Sequence, residues 1–258
     1  MKTVLVTGCS SGFGLEIARF FLERGWKVLA TMRRPDTDLL PVSDNLQILP
    51  LDVTDPASIA SAVAAAGDID VLVNNAGVGW LNALEGTAVE TIRTVFETNT
   101  FGTMALTRAF LPMFRARGAG MIVNVTSTVT LAPLHLLSVY TASKAAVNAF
   151  SECLALELEP FGIGVRLVLP GRAPSTSFGK NAAALDEKGM VIHDAYAKIA
   201  EDVFRQWATA PADMITRPED VAAKVFLAAT DPQVPMRIPA GADAAEGFAE
   251  LAGRAPLA

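Results

Sequence analysis

Residues 3–14 read TVLVTGCSSGFG. An apolar run of strand length leads straight into a turn that carries Gly8, Gly12 and Gly14, and a helical pattern follows at once. At such a turn, backbone N–H groups and the positive end of a helix dipole can bind a pyrophosphate, because the glycines allow its close approach. The glycine spacing is not the common G-x-G-x-x-G, and without a following GK[ST] the motif is not a P-loop.

Outward from this turn, apolar runs of strand length alternate with helical patterns. The predicted strands are TVLVT, KVLAT, NLQILPL, DVLVNNAG, MIVNVTS and GVRLVLP, and the predicted helices lie at about 12–24, from 56, at about 89–117 and around SVYTASKAAVNAF. Such alternation predicts right-handed crossovers and a parallel sheet. We expect an α/β fold: a Rossmann-type doubly wound parallel sheet of about seven strands with helices on both faces, in a single domain over residues 1–258.

The composition excludes several classes of protein. The 258 residues include 27 acidic and 21 basic side chains, and the net charge of −6 gives no broad basic surface for nucleic acid. No apolar run reaches the ~18 residues of a membrane span, and MKTVLVTG does not resemble a signal peptide, so a soluble, cytoplasmic protein is expected. Cys9, Cys153, His135 and His193 form no disulfide framework and no metal-ligand spacing, so no metal site is expected.

Ser127, Tyr140 and Lys144 follow one another at a spacing of thirteen and then four positions. A tyrosine and a lysine one helical turn apart share a helix face. Tyrosine ordinarily titrates near ~10 and is no base at neutral pH, but a fixed ammonium beside it lowers that pKa. A serine hydroxyl opposite can hold the reacting oxygen. Each residue alone would also fit a structural role, but together they predict a site that moves a proton on and off an alcohol.

With these residues in IVNVTSTVTLAPLHLLSVYTASKAAVNAF, and with TGCSSGFG as a TGxxxGxG motif, the chain resembles the short-chain dehydrogenase/reductases nearly end to end. The resemblance implies a catalytic tetrad that adds Asn99, in ETNTFG, to the three residues above. Tyr140 would exchange the alcohol proton, and Ser127 would hydrogen-bond the substrate oxygen. Lys144 would bind the nicotinamide ribose and lower the tyrosine pKa. Asn99 would hold a water that links Lys144 to solvent.

The resemblance also assigns cofactor contacts to the carboxyl ends of the predicted strands. Asp52 would hold the adenine amino group, although it could also cap the next helix, a role that Thr54 or Asp55 fits as well. The NNAG stretch at 74–77 would line the cofactor and brace the sheet. The residues expected to bind the cofactor are Gly8, Ser10, Ser11, Gly12, Phe13, Gly14, Arg33, Asp52, Val53, Asn75, Ala76, Gly77, Tyr140, Lys144, Pro170 and Gly171.

The choice of cofactor is read from KVLATMRRP, at the end of the second strand. Members of the family that prefer NAD usually have an acidic residue where this chain has Met32, and Arg33 follows. An arginine there would pair with a 2′-phosphate, with help from Ser10. We expect NADP(H) rather than NAD(H), although an exposed arginine is also common on any solvated surface.

Two stretches depart from the family pattern. Thr130 replaces a glycine that is common after the catalytic serine. After PG at 170–171 the family usually has a branched residue two positions on and a threonine two positions beyond that. Here Ala173 and Ser175 stand at those positions, so neither Ser175 nor Thr176 is assigned a contact. Residues 172–211 interrupt the strand and helix alternation and are expected to form a substrate lid with helical pieces. The larger apolar and aromatic side chains of this lid are Phe178, Met190, Tyr196, Phe204 and Trp207.

The expected function is NADP(H)-dependent interconversion of a ketone or aldehyde and its alcohol, similar to the hydroxysteroid and retinol dehydrogenase branch. The same fold could instead reduce C=C or C=N bonds, or bind NADP(H) as a non-catalytic regulatory protein. An apolar pocket for a lipophilic substrate is expected from Trp80, Leu134, Leu137 and Phe178. The family also implies a homodimer or homotetramer, formed by the long helix after Thr87 and the helix of Tyr140, whose apolar strip is Ala145, Ala146, Ala149, Phe150 and Leu154.

Overall fold

The computed structural model of the chain describes residues 1–174, 176, 185, 191–211 and 213–253, without the side chains of the last two. Its strands are β1 (Thr3–Thr7), β2 (Lys27–Met32), β3 (Leu46–Pro50), β4 (Val71–Asn74), β5 (Gly120–Val125), β6 (Ile163–Pro170) and β7 (Arg237–Ala240). Its α-helices are α1 (Gly12–Glu23), α2 (Pro56–Ala66), α3 (Val89–Phe96), α4 (Gly102–Arg117), α5 (Ser138–Leu158), α6 (Ala197–Thr209), α7 (Pro218–Thr230) and α8 (Ala242–Gly253).

The strands of this part of the chain form one seven-stranded parallel sheet, which confirms the predicted fold class. Their order is β3-β2-β1-β4-β5-β6-β7. β1 pairs with β2 on one side and with β4 on the other, so the strand order reverses between β1 and β4. In open sheets of this kind, ligands bind in the crevice at the carboxyl ends of the strands beside such a reversal.

The apolar core lies on both faces of the sheet, because side chains alternate along each strand. In β1, Val4 and Val6 pack with α1 residues such as Ile17 and Phe21. Leu5 points to the opposite face and packs with Leu106 of α4 and its neighbours. The two helical layers hold the carboxyl ends of the strands in a fixed arrangement.

The helical stretch predicted at about 89–117 consists of α3, a π-helical turn at Glu97–Phe101, and α4, without a break. A π-helical turn inserts extra backbone into a helix, and such turns often lie at functional sites. Here the turn contains Asn99. Of the helices that the structure describes, none combines the length and apolar character needed to cross a bilayer.

Candidate active site

A cavity of about 670 Å³ opens at the carboxyl ends of the central strands. Thirteen of the sixteen predicted cofactor residues line it: Gly8, Ser10, Ser11, Gly12, Phe13, Arg33, Asp52, Val53, Asn75, Ala76, Gly77, Tyr140 and Lys144. The other three, Gly14, Pro170 and Gly171, are not among the described lining residues. The structure therefore gathers most of the predicted set around one space.

The β1–α1 turn is shaped by close packing of its glycines. Gly8 has a φ of +74°, a conformation that L side chains rarely adopt. A Cβ on Gly14 would overlap the carbonyl oxygen of Gly8, so the lack of a side chain lets α1 begin directly against the turn. Ser11 precedes the helix in extended conformation, and its side chain makes no capping hydrogen bond. The role of Gly14 in this structure is thus packing, whereas Ser11 faces the cavity.

Asn75 ties this turn to the end of β4. Its Nδ2 donates to the carbonyl oxygen of Thr7 at 2.9 Å. The Thr7 hydroxyl oxygen in turn accepts from the backbone N–H groups of Asn75 and Ala76, at 2.9 and 2.8 Å. These bonds fix the two loops that border the crevice between β1 and β4. The neighbouring Asn74 is buried and donates to Thr107 and Asn124, which braces the sheet from within.

The end of the cavity near β2 and β3 carries one acidic and one basic side chain. The Oδ1 atom of Asp52 accepts from the backbone N–H and the hydroxyl of Thr54, at 2.9 and 2.7 Å. Burial raises the pKa of Asp52, but these bonds and the charge of Arg33 outweigh it, and the net pKa is lowered. The carboxyl that caps α2 belongs to Asp55, which accepts from the N–H of Ala57. Asp52 is therefore ionised and does not cap α2.

Asn99 is 1% exposed and has its amide engaged with protein groups. Oδ1 accepts from the N–H of Val78 at 2.8 Å. Nδ2 donates to the carbonyl oxygen of Val78 at 2.9 Å and to the hydroxyl of Ser143 at 3.0 Å. Both amide protons are thus taken, and a water at this amide could only donate to Oδ1. The structure places Asn99 as a brace between the loop after β4 and α5.

Tyr140 and Lys144 lie one turn apart on α5, as their spacing predicts, and Ser127 follows β5. A hydrogen bond from Ser127 lowers the pKa of the Tyr140 phenol, but burial has the larger effect and the net pKa is raised. The net direction is opposite to the lowered pKa predicted from the sequence, because the phenol is buried against the protein. At neutral pH the free chain thus holds Tyr140 as a neutral phenol, which can donate a proton.

Lys144 is 5% exposed, and its ammonium donates to the carbonyl oxygen of Val125 at 3.1 Å. Burial lowers the pKa of Lys144 to about 8. A Cβ on Gly77 would lie 3.3 Å from its Nζ and 3.1 Å from Oδ1 of Asn99. The missing side chain of Gly77 therefore leaves open the space between these two members of the predicted tetrad.

The loop after β6 is hydrogen-bonded to Thr216, which precedes α7, and to Asp243 of α8. The N–H of Gly171 donates to the hydroxyl of Thr216 at 2.9 Å, and the N–H of Arg172 donates to Asp243 at 2.6 Å. A Cβ on Gly171 would overlap the Asp243 carboxylate. The N–H groups of Gly171 and Arg172 thus already have acceptors within the protein, and the expected cofactor contact of Pro170 and Gly171 stays a prediction.

The residues predicted to form an apolar substrate pocket have different positions. Trp80 is buried among Val95 and Val139, and its indole N–H donates to Thr87, so it is a core side chain and not a pocket wall. Leu134 is exposed, and Leu137 packs partly buried against the described part of the lid. Phe178 lies outside the described residues, as do Met190 of the lid and Ser175.

The described part of the lid packs against the loops after β4 and β5. Ala200 and Val203 of α6 join a small apolar cluster with Leu81 and Leu136. The side-chain amide of Asn82 donates to the carbonyl oxygen of Val191 at 3.1 Å, and the backbone N–H of Asn82 donates to the carbonyl oxygen of Leu136. The hydroxyl of Tyr196 donates to Glu85 at 2.9 Å. Three chain segments are thereby joined beside the cavity.

One face of α3 and the π-helical turn also lines the cavity, which was not predicted from the sequence. The residues of this face are Arg93, Thr94, Glu97 and Thr98. Arg93 and Glu97, and likewise Thr94 and Thr98, are four positions apart, which is the spacing of one helix face. With a helix predicted over 89–117 beside a ligand site, this spacing is the signal from which these four lining residues could have been predicted. Thr176 and Leu185 of the lid region line the cavity as well.

A family model described as "short chain dehydrogenase" matches residues 2–186. An uncharacterized oxidoreductase of Bacillus subtilis, YusZ, is 37% identical over 255 residues, covering 93% of this chain and 89% of that protein. Human retinol dehydrogenase 8 is 38% identical over 190 residues, covering 69% of this chain. The match spans 61% of the length of retinol dehydrogenase 8, less than two thirds of that protein.

Solved structures with the same fold agree with this match. A short-chain dehydrogenase from Streptomyces avermitilis has a TM-score of 0.83 at 37% identity, covering 98% of this chain and 94% of that one. A serine dehydrogenase solved in complex with NADP+ has a TM-score of 0.77 at 32% identity, covering 92% and 93%. A 3-ketoacyl-(acyl-carrier-protein) reductase from Brucella melitensis, complexed with NADH, has a TM-score of 0.75 at 25% identity, covering 92% and 96%. The similar proteins thus bind either nicotinamide dinucleotide.

Proposed function

The chain belongs to the short-chain dehydrogenase family, and from this premise we propose that it interconverts a ketone or aldehyde and its alcohol by hydride transfer, with NADP(H) as cofactor. Tyr140 is the general acid and base. The observation that carries the proposal is the hydrogen bond of the buried Ser127 to Tyr140, one helical turn from the buried Lys144. Tyr140 and Lys144 both line the cavity.

The cavity fits a dinucleotide in size and in the groups that surround it. Ligand pockets in proteins commonly enclose about 300–1,000 Å³, and this one encloses about 670 Å³. The N–H groups of the β1–α1 turn would bind the pyrophosphate, Asp52 the adenine amino group, and Lys144 the nicotinamide ribose. When bound, the reduced cofactor supplies the hydride for the substrate carbon.

In the reducing direction, Tyr140 donates its phenolic proton to the substrate oxygen while Ser127 hydrogen-bonds the same atom. The raised pKa of Tyr140 supports this direction, because the phenol is neutral and carries its proton at physiological pH. Lys144, with its pKa lowered to about 8, changes protonation within reach of neutrality and can return a proton toward the tyrosine. Asn99 orients the loop of Val78 and the start of α5 around these groups.

The test is NADPH oxidation against a panel of aldehydes, ketones, steroids and quinones, with Tyr140→Phe protein as the blank. Carbonyl turnover that depends on Tyr140 would support the proposal. Intact NADPH binding without turnover of any carbonyl would contradict it. Assays with C=C and C=N substrates would then decide between another reductase and a regulatory protein.

We propose a preference for NADP(H) over NAD(H). The residue at the end of β2 is Met32, which is buried. A methionine has no carboxylate to bind the two ribose hydroxyls. Arg33 follows it at the rim of the cavity, where a guanidinium can pair with a 2′-phosphate. The preference rests on this single side chain, and the affinities of Arg33→Ala protein for NADPH and NADH test it.

We propose a lipophilic carbonyl substrate, because each of the three segments that hydrogen bonds join near Asn82, Leu136 and Val191 carries an exposed apolar side chain. Leu84, Leu134 and Val191 are 60, 52 and 65% exposed. They lie within two residues of the hydrogen bonds that join Asn82 to Leu136 and to Val191. The similarity to retinol dehydrogenase 8 points the same way. Values of kcat/KM that rise with the apolar size of the substrate would support this proposal, and values that fall would overturn it.

We propose that the whole chain acts as one domain in which residues 172–211 form a lid over the substrate. Thr176 lies close to Gly12, where an added Cβ would meet it at 3.4 Å, and Leu185 packs against the buried cluster of Trp80, Val95 and Val139. Cleavage by a protease within 172–211, slowed by NADPH and substrate together, would support a closing lid. Equal cleavage with and without ligands would argue against it.

We also propose a homodimer or homotetramer through the long helical stretch after Thr87, which consists of α3, the π-helical turn and α4, together with α5. Part of the predicted strip on α5 is available for such a contact: Ala145 and Ala149 are exposed, whereas Leu154 is buried in the core. Light scattering that gives only the monomer mass would reject an oligomer.

A cytoplasmic location stays a prediction that cell fractionation tests.

A further inference from the structure

A chain of hydrogen bonds joins α5 to the turn that carries Ser127. The side-chain amide nitrogen of Asn148 donates to the hydroxyl oxygen of Thr130 at 2.9 Å. The Thr130 hydroxyl donates to the carbonyl oxygen of Ser127, also at 2.9 Å. Asn148 is 4% exposed and Thr130 is half-buried, so this chain is partly shielded from solvent. The backbone of the proposed catalytic serine is thus held from a helix that lies behind it.

The direction of these bonds fixes the orientation of the amide. A backbone carbonyl can only accept, so the single hydroxyl proton of Thr130 goes to Ser127. The Thr130 oxygen must then accept from Asn148, which only the NH2 end of the amide can satisfy. The other end, Oδ1 of Asn148, is buried without a hydrogen-bond partner. An unpaired buried acceptor is unfavourable, and its presence indicates that the contact with Thr130 decides how the amide is oriented.

The same helix face carries the reacting group. Tyr140, Lys144 and Asn148 recur every four residues on α5, so they follow one another along one side of the helix. α5 therefore sets the position of the Tyr140 phenol directly and the position of Ser127 through Asn148 and Thr130. This link from α5 adds to two local bonds of the turn: the N–H of Thr130 donates to the same Ser127 carbonyl at 3.4 Å, and the N–H of Val129 donates to the Ser127 hydroxyl at 3.3 Å.

We propose that Thr130 and Asn148 are positioning residues that hold Ser127 within hydrogen-bonding distance of Tyr140. Neither touches the reacting atoms, and both act through the backbone of Ser127. The kinetic consequence rests on the proposed function, whereas the contact between Ser127 and Tyr140 can be measured without turnover.

The first measurement uses the small number of tyrosines. The chain has 2, Tyr140 and Tyr196, so in a Tyr196→Phe background the 13Cζ NMR signal of labelled tyrosine reports Tyr140 alone. Ser127→Ala gives the reference position of that signal without the serine contact. We expect Thr130→Val and Asn148→Ala to move the signal toward this reference, and Thr130→Ser, which keeps the hydroxyl, to leave it in place.

The second measurement is kinetic. We expect Thr130→Val to lower kcat by roughly 10-fold, because small displacements of a positioned group are costly to the reaction, while the KM for NADPH is unchanged. In the direction of alcohol oxidation, Tyr140 must be ionised, and the bond from Ser127 lowers its pKa. The rising limb of kcat against pH should therefore move to higher pH in Thr130→Val and remain in place in Thr130→Ser. Lys144, the charged group on the same face of α5, is the same in all variants.

Ser151→Ala is the matched control, because Ser151 is a fully buried hydroxyl of α5 that bonds Asn124 and Val147 and lies outside the Thr130 link. It should lower stability without moving the NMR signal or the pH profile. Unchanged signals in both Thr130→Val and Asn148→Ala would overturn the positioning role, as would a loss of stability with kcat intact. If the signals move as expected but the wild-type protein reduces no carbonyl, the positioning holds and the proposed reaction is wrong.

Discussion

The ammonium of Lys144 donates to the carbonyl oxygen of Val125 at 3.1 Å, at the point where β5 ends. This contact holds a cation in a place where it is almost entirely shielded from water. The cost of removing the charge from solvent appears as a pKa lowered to about 8. The proposed active site therefore carries a group that is stable in its charged form only up to mildly alkaline pH.

The first prediction concerns stability. Below pH 8 the lysine is charged in both the folded and the unfolded chain, and folding bears the cost of its burial, roughly 3 kcal/mol for a pKa moved from 10.5 to about 8. We expect Lys144→Met to increase the free energy of unfolding at pH 7, by somewhat less than this because the bond to Val125 is lost. The measurement is denaturant unfolding of both proteins.

The difference in stability between Lys144→Met and the wild type should depend on pH. Between pH 8 and 10.5 the unfolded wild-type chain keeps the proton that the folded chain has lost, so the stability of the wild type rises with pH. The advantage of Lys144→Met should shrink across this range. An advantage that stays constant or grows from pH 7 to 10 would show that burial does not lower the lysine pKa.

The second prediction concerns Tyr140→Phe, which removes one hydroxyl and leaves the ring. Turnover should fall by about 10²- to 10⁴-fold, the usual contribution of a general acid or base. NADPH binding, followed by fluorescence titration, should be unchanged. Turnover near the wild-type rate would mean that another group supplies the proton.

The third prediction separates two adjacent arginines. Arg33 lines the cavity, whereas Arg34 is exposed and is not among its lining residues. Arg33→Ala should weaken NADPH binding by about 10- to 100-fold, the strength of a charge-assisted hydrogen bond, and should leave NADH binding nearly unchanged. Arg34→Ala is the control and should alter neither. Equal effects of the two substitutions on the ratio of affinities would refute a 2′-phosphate clamp.

The fourth prediction concerns Asn99, whose amide makes three hydrogen bonds in the interior. Asn99→Ala would leave the partners at Val78 and Ser143 unpaired and should lower the free energy of unfolding by roughly 2–4 kcal/mol, with loss of turnover. Asn45→Ala, at a half-buried asparagine outside the cavity, should change stability by no more than about 0.5 kcal/mol. Unchanged stability of Asn99→Ala would contradict the bracing role and would favour the role of holding a water that links Lys144 to solvent.

Much of the site could be predicted because its signals are local. The turn at residues 8–14 combines a strand, glycines and a helix start within one short stretch, and the tyrosine and lysine lie one turn apart on one helix. Local geometry fixes where such residues point relative to one another. The roles of Trp80, Gly171 and Asn99 could not be predicted in this way, because each depends on partners distant in the sequence: Val139 for Trp80, Asp243 for Gly171 and Ser143 for Asn99.

The sequence by itself determined the parallel α/β fold, the family and the residues that gather at the carboxyl ends of the strands, since periodicity and motif spacing are properties of adjacent residues. Only the tertiary structure decided the protonation of the site. Burial, which is the sum of contacts from many segments, raises the pKa of Tyr140 and lowers that of Lys144. The tertiary structure likewise decided that Thr130, a departure from the family pattern, links Asn148 to the backbone of Ser127, because that link joins chain segments that meet only when the sheet and α5 have packed.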